Sequence, residues 1–224
     1  ISQEIFLDGG QTAVWTQRYF YTDTNTISDY SMRTYANGDV DYYNPAGRLF
    51  ADVLLSRQNF SAALYANIQN GLRSVQPGNY FVTTPYESFV ARGVSTQELT
   101  ALRRLIALGM QTDSVAFLAY LNTPYHVVLR PLEEHPFYAS AIQNWPFSGM
   151  GVVVGTTTES ALLFYCDLAT LNGNLNTSRE SARLALPILV HEMKHSIDTE
   201  IPHDQAHMEW RAYQVQLEWM RRLR

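Results

Sequence analysis

Lysine is nearly missing from this chain: Lys194 stands alone beside 15 arginines. Codon bias in the source genome suffices to explain that, and no function follows from it. Cysteine is as scarce, and the single Cys166 excludes an intramolecular disulfide framework. Its setting, the apolar run Leu162-Leu163-Phe164-Tyr165-Cys166, predicts a buried, inert thiol rather than a nucleophile. No apolar run reaches the roughly 18 residues of a membrane-spanning helix. Basic charge is short as well, and a net charge of −5 argues against a general nucleic-acid binder, whose footprint would be basic. Charged residues make up only 17% of the chain and apolar ones 46%, which are globular values. The 224 residues are enough to bury a full core, as one domain or as two closely packed lobes. The chain opens at Ile1 rather than Met, and with 14 tyrosines and few charges this gives the expectation of an exported, extracytoplasmic protein, secreted or periplasmic.

What is present is concentrated near the end: His191-Glu192-Met193-Lys194-His195, an H-E-x-x-H pattern. The chain holds 6 His and 11 Glu, so chance predicts roughly 0.01 such matches. On a helix, positions i and i+4 lie one turn apart on the same face, so both imidazoles can aim at one ion. Glu192 is rotated by about 100° from His191, which places it beside that ion, where it can take a proton from water. The apolar run Leu186 to Val190 feeds directly into His191, as expected for a helix buried beneath a cleft.

Catalytic zinc takes three protein ligands and keeps a fourth position for water. Residues from about 204 onward read as a second helix with Asp204 as N-cap. Ala206, Trp210, Tyr213, Leu217 and Met220 form an apolar stripe at spacings of 4, 3, 4 and 3. Packed against the first helix, that stripe would aim the flanking Glu209 into the space between the two, making it the best third ligand. His203, Asp204 and His207 are alternatives. Asp198 shares the histidine face but lies about 10 Å along the axis from His191, so it reads as support for the ligands or as a contact at the helix end. The metzincin pattern fails, since it needs Gly at 198 and His at 201, where Asp198 and Ile201 stand. Peptide deformylases share H-E-x-x-H but add a cysteine ligand in a motif that Cys166 does not match.

With His191-Glu192-Met193-Lys194-His195 and, downstream, Glu209-Trp210-Arg211-Ala212, the last 45 residues or so resemble the gluzincin group of zinc metallopeptidases. The second tetrapeptide is similar to the E-x-x-A that carries the third ligand in several small members. The resemblance implies His191, His195 and Glu209 as zinc ligands and Glu192 as general base, in a hydrolase acting on peptide or protein substrates. Two features depart from that pattern: the gap from His195 to Glu209 is short, and Tyr213 stands where some relatives carry Asp.

The rest of the chain reads as scaffold. Residues 1–44 are expected to be β-rich, with Asp8-Gly9-Gly10 as a turn and Trp15, Tyr19 and Tyr21 at strand periodicity. Asn37-Gly38 signals a type I′ hairpin between residues 31–35 and 40–43. Tyrosines there would pair across strands, with a sugar- or peptide-binding surface as the alternative. Asn44-Pro45 predicts the start of a long helix through Leu49, Val53, Leu54, Phe60, Leu64 and Ile68 to Gly71. Ser95-Thr96-Gln97-Glu98 is a capping box opening a helix that ends at Gly109, and Thr112 or Asp113 caps another to about Leu121. Residues 126–130 predict a strand. Residues 131–149, with Glu134 and His135, predict an irregular loop of the kind that forms lids. Residues 151–157 and 161–167 predict a hairpin before the motif helix. By analogy with zincin-like proteases, 161–167 or its partner would hold an extended peptide. Ser178 could cap a helix running through to Asp198, but Pro187 would kink it, which favours a shorter helix starting near Pro187.

The expectation is an α+β protein: a β-rich segment 1–44, several helices, and a zincin-like metallopeptidase region 45–224 with a small mixed or antiparallel sheet on the motif helix. Oxyanion or proton donors would come from Tyr213, His203 or His207. The alternative is a non-catalytic binding module whose motif holds a structural metal.

Overall fold

The structure, a computed structural model, describes residues 2–6, 13–21, 28–55, 95–122, 125–134, 149–155, 160–198 and 205–224. It is α+β and divides into two compact units, Ile1–Val53 and Leu54–Arg224. No described helix is long and apolar enough to cross a membrane.

The first unit carries an antiparallel sheet in chain order, β1 (Ser2–Phe6), β2 (Ala13–Phe20), β3 (Tyr30–Tyr35) and β4 (Val40–Tyr43). The register pairs Gln17 with Arg33 and Arg33 with Asp41, so strand alternation puts these polar residues on one face. There Gln17 donates to Ser31 Oγ at 3.0 Å, and Arg33 donates to Gln17 at 3.2 Å while lying 3.9 Å over the Trp15 ring. The opposite face stacks Phe20 on Tyr30 at 4.5 Å, and Tyr30 tilts against Tyr42. These are the cross-strand aromatic pairs expected of a small sheet.

Two local expectations fail in this unit. The β3–β4 connection is a three-residue loop, closed by Gly38 N–H to Tyr35 O and Tyr35 N–H to Asp39 O, both at 2.9 Å. Gly38 at φ 86° supplies the left-handed residue of such a loop, so the type I′ turn gives way to a three-residue one. Asn44-Pro45 does not open the helix. Asn44 Oδ1 accepts from Arg48 N–H at 2.9 Å and Gly47 takes φ 74°, a turn that delays α1 to Phe50–Leu55. The predicted continuation to Gly71 and the turn at Asp8-Gly9-Gly10 lie outside the described residues.

The second unit is built on α2 (Thr96–Leu121), β5 (Tyr125–Pro131), β6 (Gly149–Gly155), β7 (Ser160–Cys166), the single turn α3 (Leu168–Leu171), α4 (Leu175–Ile197) and α5 (Gln205–Arg222). The sheet order is β5-β7-β6, with β5 parallel and β6 antiparallel to β7. Residues 162–166 of β7 are buried without alternation, as a central strand requires. Cys166 is fully buried, and burial pushes its thiol well above the ordinary range. Since β7 is paired on both sides, 161–167 has no edge to offer a peptide; the outer edges belong to its partners β5 and β6.

The α2 capping box forms as expected, with Glu98 N–H to Ser95 Oγ at 3.1 Å and Ser95 N–H to Glu98 Oε2 at 2.6 Å. Gly109 does not end that helix. The chain leaves helical conformation at Asp113, whose Oδ1 caps Ala116 N–H at 2.9 Å, so the second half restarts there. Gly109 serves packing: a Cβ there would fall 2.6 Å from the Phe117 ring, which itself packs edge-on against Trp219 of α5.

The motif helix α4 starts at Asn174, whose side chain accepts from Asn176 and Thr177 N–H, rather than near Pro187. Pro187 sits inside it. Pro187, itself buried, has no N–H to donate to the carbonyl of Arg183 one turn earlier, yet the helix continues through it. The face through Leu186, Leu189, Val190 and Met193 is fully buried against the sheet and the other helices. Introducing a methyl at Gly109 should therefore overpack this core: Gly109→Ala is expected to lose about 1–3 kcal/mol, read as a lower urea midpoint with unchanged m value.

Candidate metal centre

Helix α4 packs on β6 and β7 with one side and against α5 with another. The ring nitrogens Nε2 of His191 and His195 come to 3.2 Å, the rings meeting edge to face with centroids 4.9 Å apart. Glu209 of α5 completes the group: Oε2 is 3.4 Å from His191 Nε2, and Oε1 is 3.4 Å from His195 Nε2. Among the described residues this is the one cluster of three or more His, Cys, Asp or Glu side chains fit for a metal ion.

The spacing bears on what the cluster can hold. Ligands bonded at about 2.0–2.1 Å to a tetrahedral zinc stand roughly 3.3–3.4 Å from each other. The histidine nitrogens are 3.2 Å apart and each meets a different oxygen of Glu209 at 3.4 Å, so the carboxylate straddles the pair, and one donor atom from each residue lies within 4.8 Å of the others. A shared proton bridges one pair at a time, whereas a cation serves all three donors. Burial is graded, with the His191 and His195 side chains 7% and 14% exposed and Glu209 42% exposed, so the cluster is reachable from the Glu209 side. Burial and the neighbouring His195 lower the His191 pKa, which favours the neutral ring that a metal ligand must be. Glu209 and Gln216 act in the opposite direction.

Glu192 stands beside the cluster, as its rotation on the helix requires. Burial first, and the Glu209 carboxylate second, push it up to about 7. Its neighbour is Gly151 of β6, where a Cβ would fall 2.6 Å from Glu192 Cδ, so only glycine leaves room for the carboxyl. The sequence carried a signal for this in Gly149-Met150-Gly151, since glycine within a strand marks close approach.

Asp198, the residue that ends α4, joins the two helices. Its Oδ1 accepts from Lys194 Nζ at 2.7 Å and from Arg211 of α5 at 3.2 Å, with the side chain 7% exposed. Arg211 lies two residues beyond Glu209, so this carboxylate fixes the segment of α5 that presents the third donor.

The other predicted residues fare differently. Tyr213 comes to the site, its ring edge-on to His191 with centroids 4.6 Å apart. His207 is exposed and tilts against Trp210 at 5.9 Å, outside the cluster. His203, Asp204 and His135 lie outside the described residues, as does the side chain of Glu134. The apolar stripe of α5 does not pack as expected: Trp210, Tyr213, Leu217 and Met220 are 59%, 54%, 44% and 44% exposed. The helix buries Ala212 and Trp219 instead. Comparison with protein-family models, with curated proteins and with solved structures finds no match.

Two measurements probe the site. Asp198→Asn should weaken zinc binding about 10–100-fold in competition with a chromogenic chelator, because the α5 segment loses its anchor. In metal-free protein, Glu192 has a folded pKa of about 7 against an ordinary 4.5, so its stabilising contribution is present in acid and lost as pH rises between them. Metal-free Glu192→Gln is therefore expected to melt above the parent at pH 8, with the gap closing toward pH 4.5.

Proposed function

We propose that this protein is a zinc-dependent metallopeptidase of gluzincin type with a zincin-like core. The observation that carries the reading is the pairing of three clustered donor side chains, one atom of each within 4.8 Å of the others, with a separate carboxyl group, Glu192, whose affinity for a proton lies near neutrality. A structural site needs no such group, and its ligands are closed off from water; here Glu209 is 42% exposed.

His191, His195 and Glu209 would hold the ion. Zinc bound there would supply Lewis acidity, lowering the pKa of a water and polarising the scissile carbonyl. Glu192 accepts the proton of the attacking water and delivers it to the leaving amine; a pKa near the working pH suits both transfers. Gly151 gives that carboxyl its place, and the apolar surroundings of α4 hold it in one position. Tyr213, exposed and in ring contact with His191, is the candidate on hand to donate to the developing oxyanion. The outer edge of β6 carries no strand among the described residues, so an extended peptide can pair with it next to Glu192.

The test is a peptide-library digest with and without chelator, paired with elemental analysis. Glu192→Gln is expected to keep one equivalent of zinc and to lose cleavage by at least about 100-fold, the range of general-base catalysis. Retained cleavage in that variant sinks the mechanism. Zinc without cleavage in the parent favours the non-catalytic binding module with a structural metal.

A further inference from the structure

On α5 the third donor sits at a seam. With Glu209 as origin and about 100° per residue, Ala212 and Trp219 lie near −60° and −80°, the buried side. Met220, Tyr213, Leu217 and Trp210 lie near 20°, 40°, 80° and 100°, all exposed. Four large apolar side chains on one flank of a helix that is polar beyond them are costly to leave in water, and such a patch marks a contact surface. The row is continuous with the metal centre, because the Tyr213 ring contacts that of His191.

We propose that this row is the specificity wall of the site, taking bulky apolar or aromatic side chains at alternate positions of an extended peptide. The proposal rests on the peptidase reading and names its substrate class. From Trp210 to Met220 the helix rises about 15 Å. Side chains on one face of a strand recur about every 6.6–6.8 Å, so the row spans two to three of them. A peptide paired to β6 would present alternate side chains toward α4 and α5, across Glu192 from the strand. A second copy of the chain is the less suitable occupant. The row shares its flank with the exposed side of Glu209, so a protein docked along it would cover the side from which the cluster is reached.

The experiment uses the full chain as zinc-loaded Glu192→Gln and two fluorescein-labelled peptides, one with Phe and Leu at alternate positions between glycines, the other with Ser in their place. The apolar peptide should bind at least 10-fold tighter by fluorescence anisotropy. Trp210→Ser, and separately Leu217→Ser with Met220→Ser, should remove most of that difference while zinc affinity and circular dichroism stay at the parent's values. Equal binding of both peptides overturns the proposal, as does unchanged selectivity in both variants. So does sedimentation velocity showing that the substitutions convert a dimer to a monomer, or loss of binding to phosphatidylglycerol vesicles in place of peptide. Digestion of the same peptides by the parent separates the two ideas: selective binding without cleavage defeats only the peptidase, and cleavage without preference defeats only the wall.

Discussion

Everything at the centre depends on how α5 lies against α4. Two imidazoles one helical turn apart arise from a single element, but the carboxylate that meets each of them at 3.4 Å belongs to another helix, and a misplacement of about 1 Å would carry it out of reach. Two kinds of contact hold the helices in place. Ala212 and Trp219 bury the apolar side of α5, with Phe117 of α2 reaching Trp219 from behind. Asp198 then ties the end of α4 to Arg211, near the residue that matters. Arg222 adds an ion pair to Asp113, the position where α2 breaks and restarts. Non-directional packing sets the distance between the helices, and directional charge pairs set their rotation.

The same arrangement governs the electrostatics. A carboxylate on α5 facing two imidazoles on α4 also faces Glu192, one step round the helix. Burial raises the affinity of Glu192 for a proton, and the charge of Glu209 raises it further. Burial works on His191 in the opposite chemical sense, toward the neutral ring. One environment therefore favours the neutral form of His191 and raises the proton affinity of the acid beside it. The glycine at 151 is the steric complement, removing a side chain from β6 so that a charged group can occupy the interface between strand and helix.

Much of this was legible in advance where the signal is local. The helical segment that carries the motif, the capping box at Ser95, the restart at Asp113 and the existence of strand β7 follow from spacing and run length, whereas the central position of β7 does not. Where elements meet, the same reasoning went astray. The stripe through Trp210, Tyr213, Leu217 and Met220 has the periodicity of a packed face, yet it is exposed, because α5 buries Ala212 and Trp219 on its other flank instead. Pro187 suggested a helix start, but the loss of one hydrogen bond is small beside the burial of Leu186, Leu189 and Val190. The loop at Asn37-Gly38 and the turn at Asn44-Pro45 were misread by one or a few residues, as hydrogen bonds from Tyr35 and Asn44 choose among turns of similar composition.

The amino-acid order by itself determined that His191 and His195 share a helix face with Glu192 beside them, since helical spacing converts sequence separation directly into angle; that Glu209 joins them was decided by the packing of α5 on α4. The tertiary structure alone decided that β6 lies at an edge of its sheet while β7 is central, that Gly151 makes room for Glu192, and that the α5 row faces outward. Those facts depend on which surfaces meet, and packing between elements distant in the chain is settled by the total area and charge brought together, a quantity no single stretch of sequence contains.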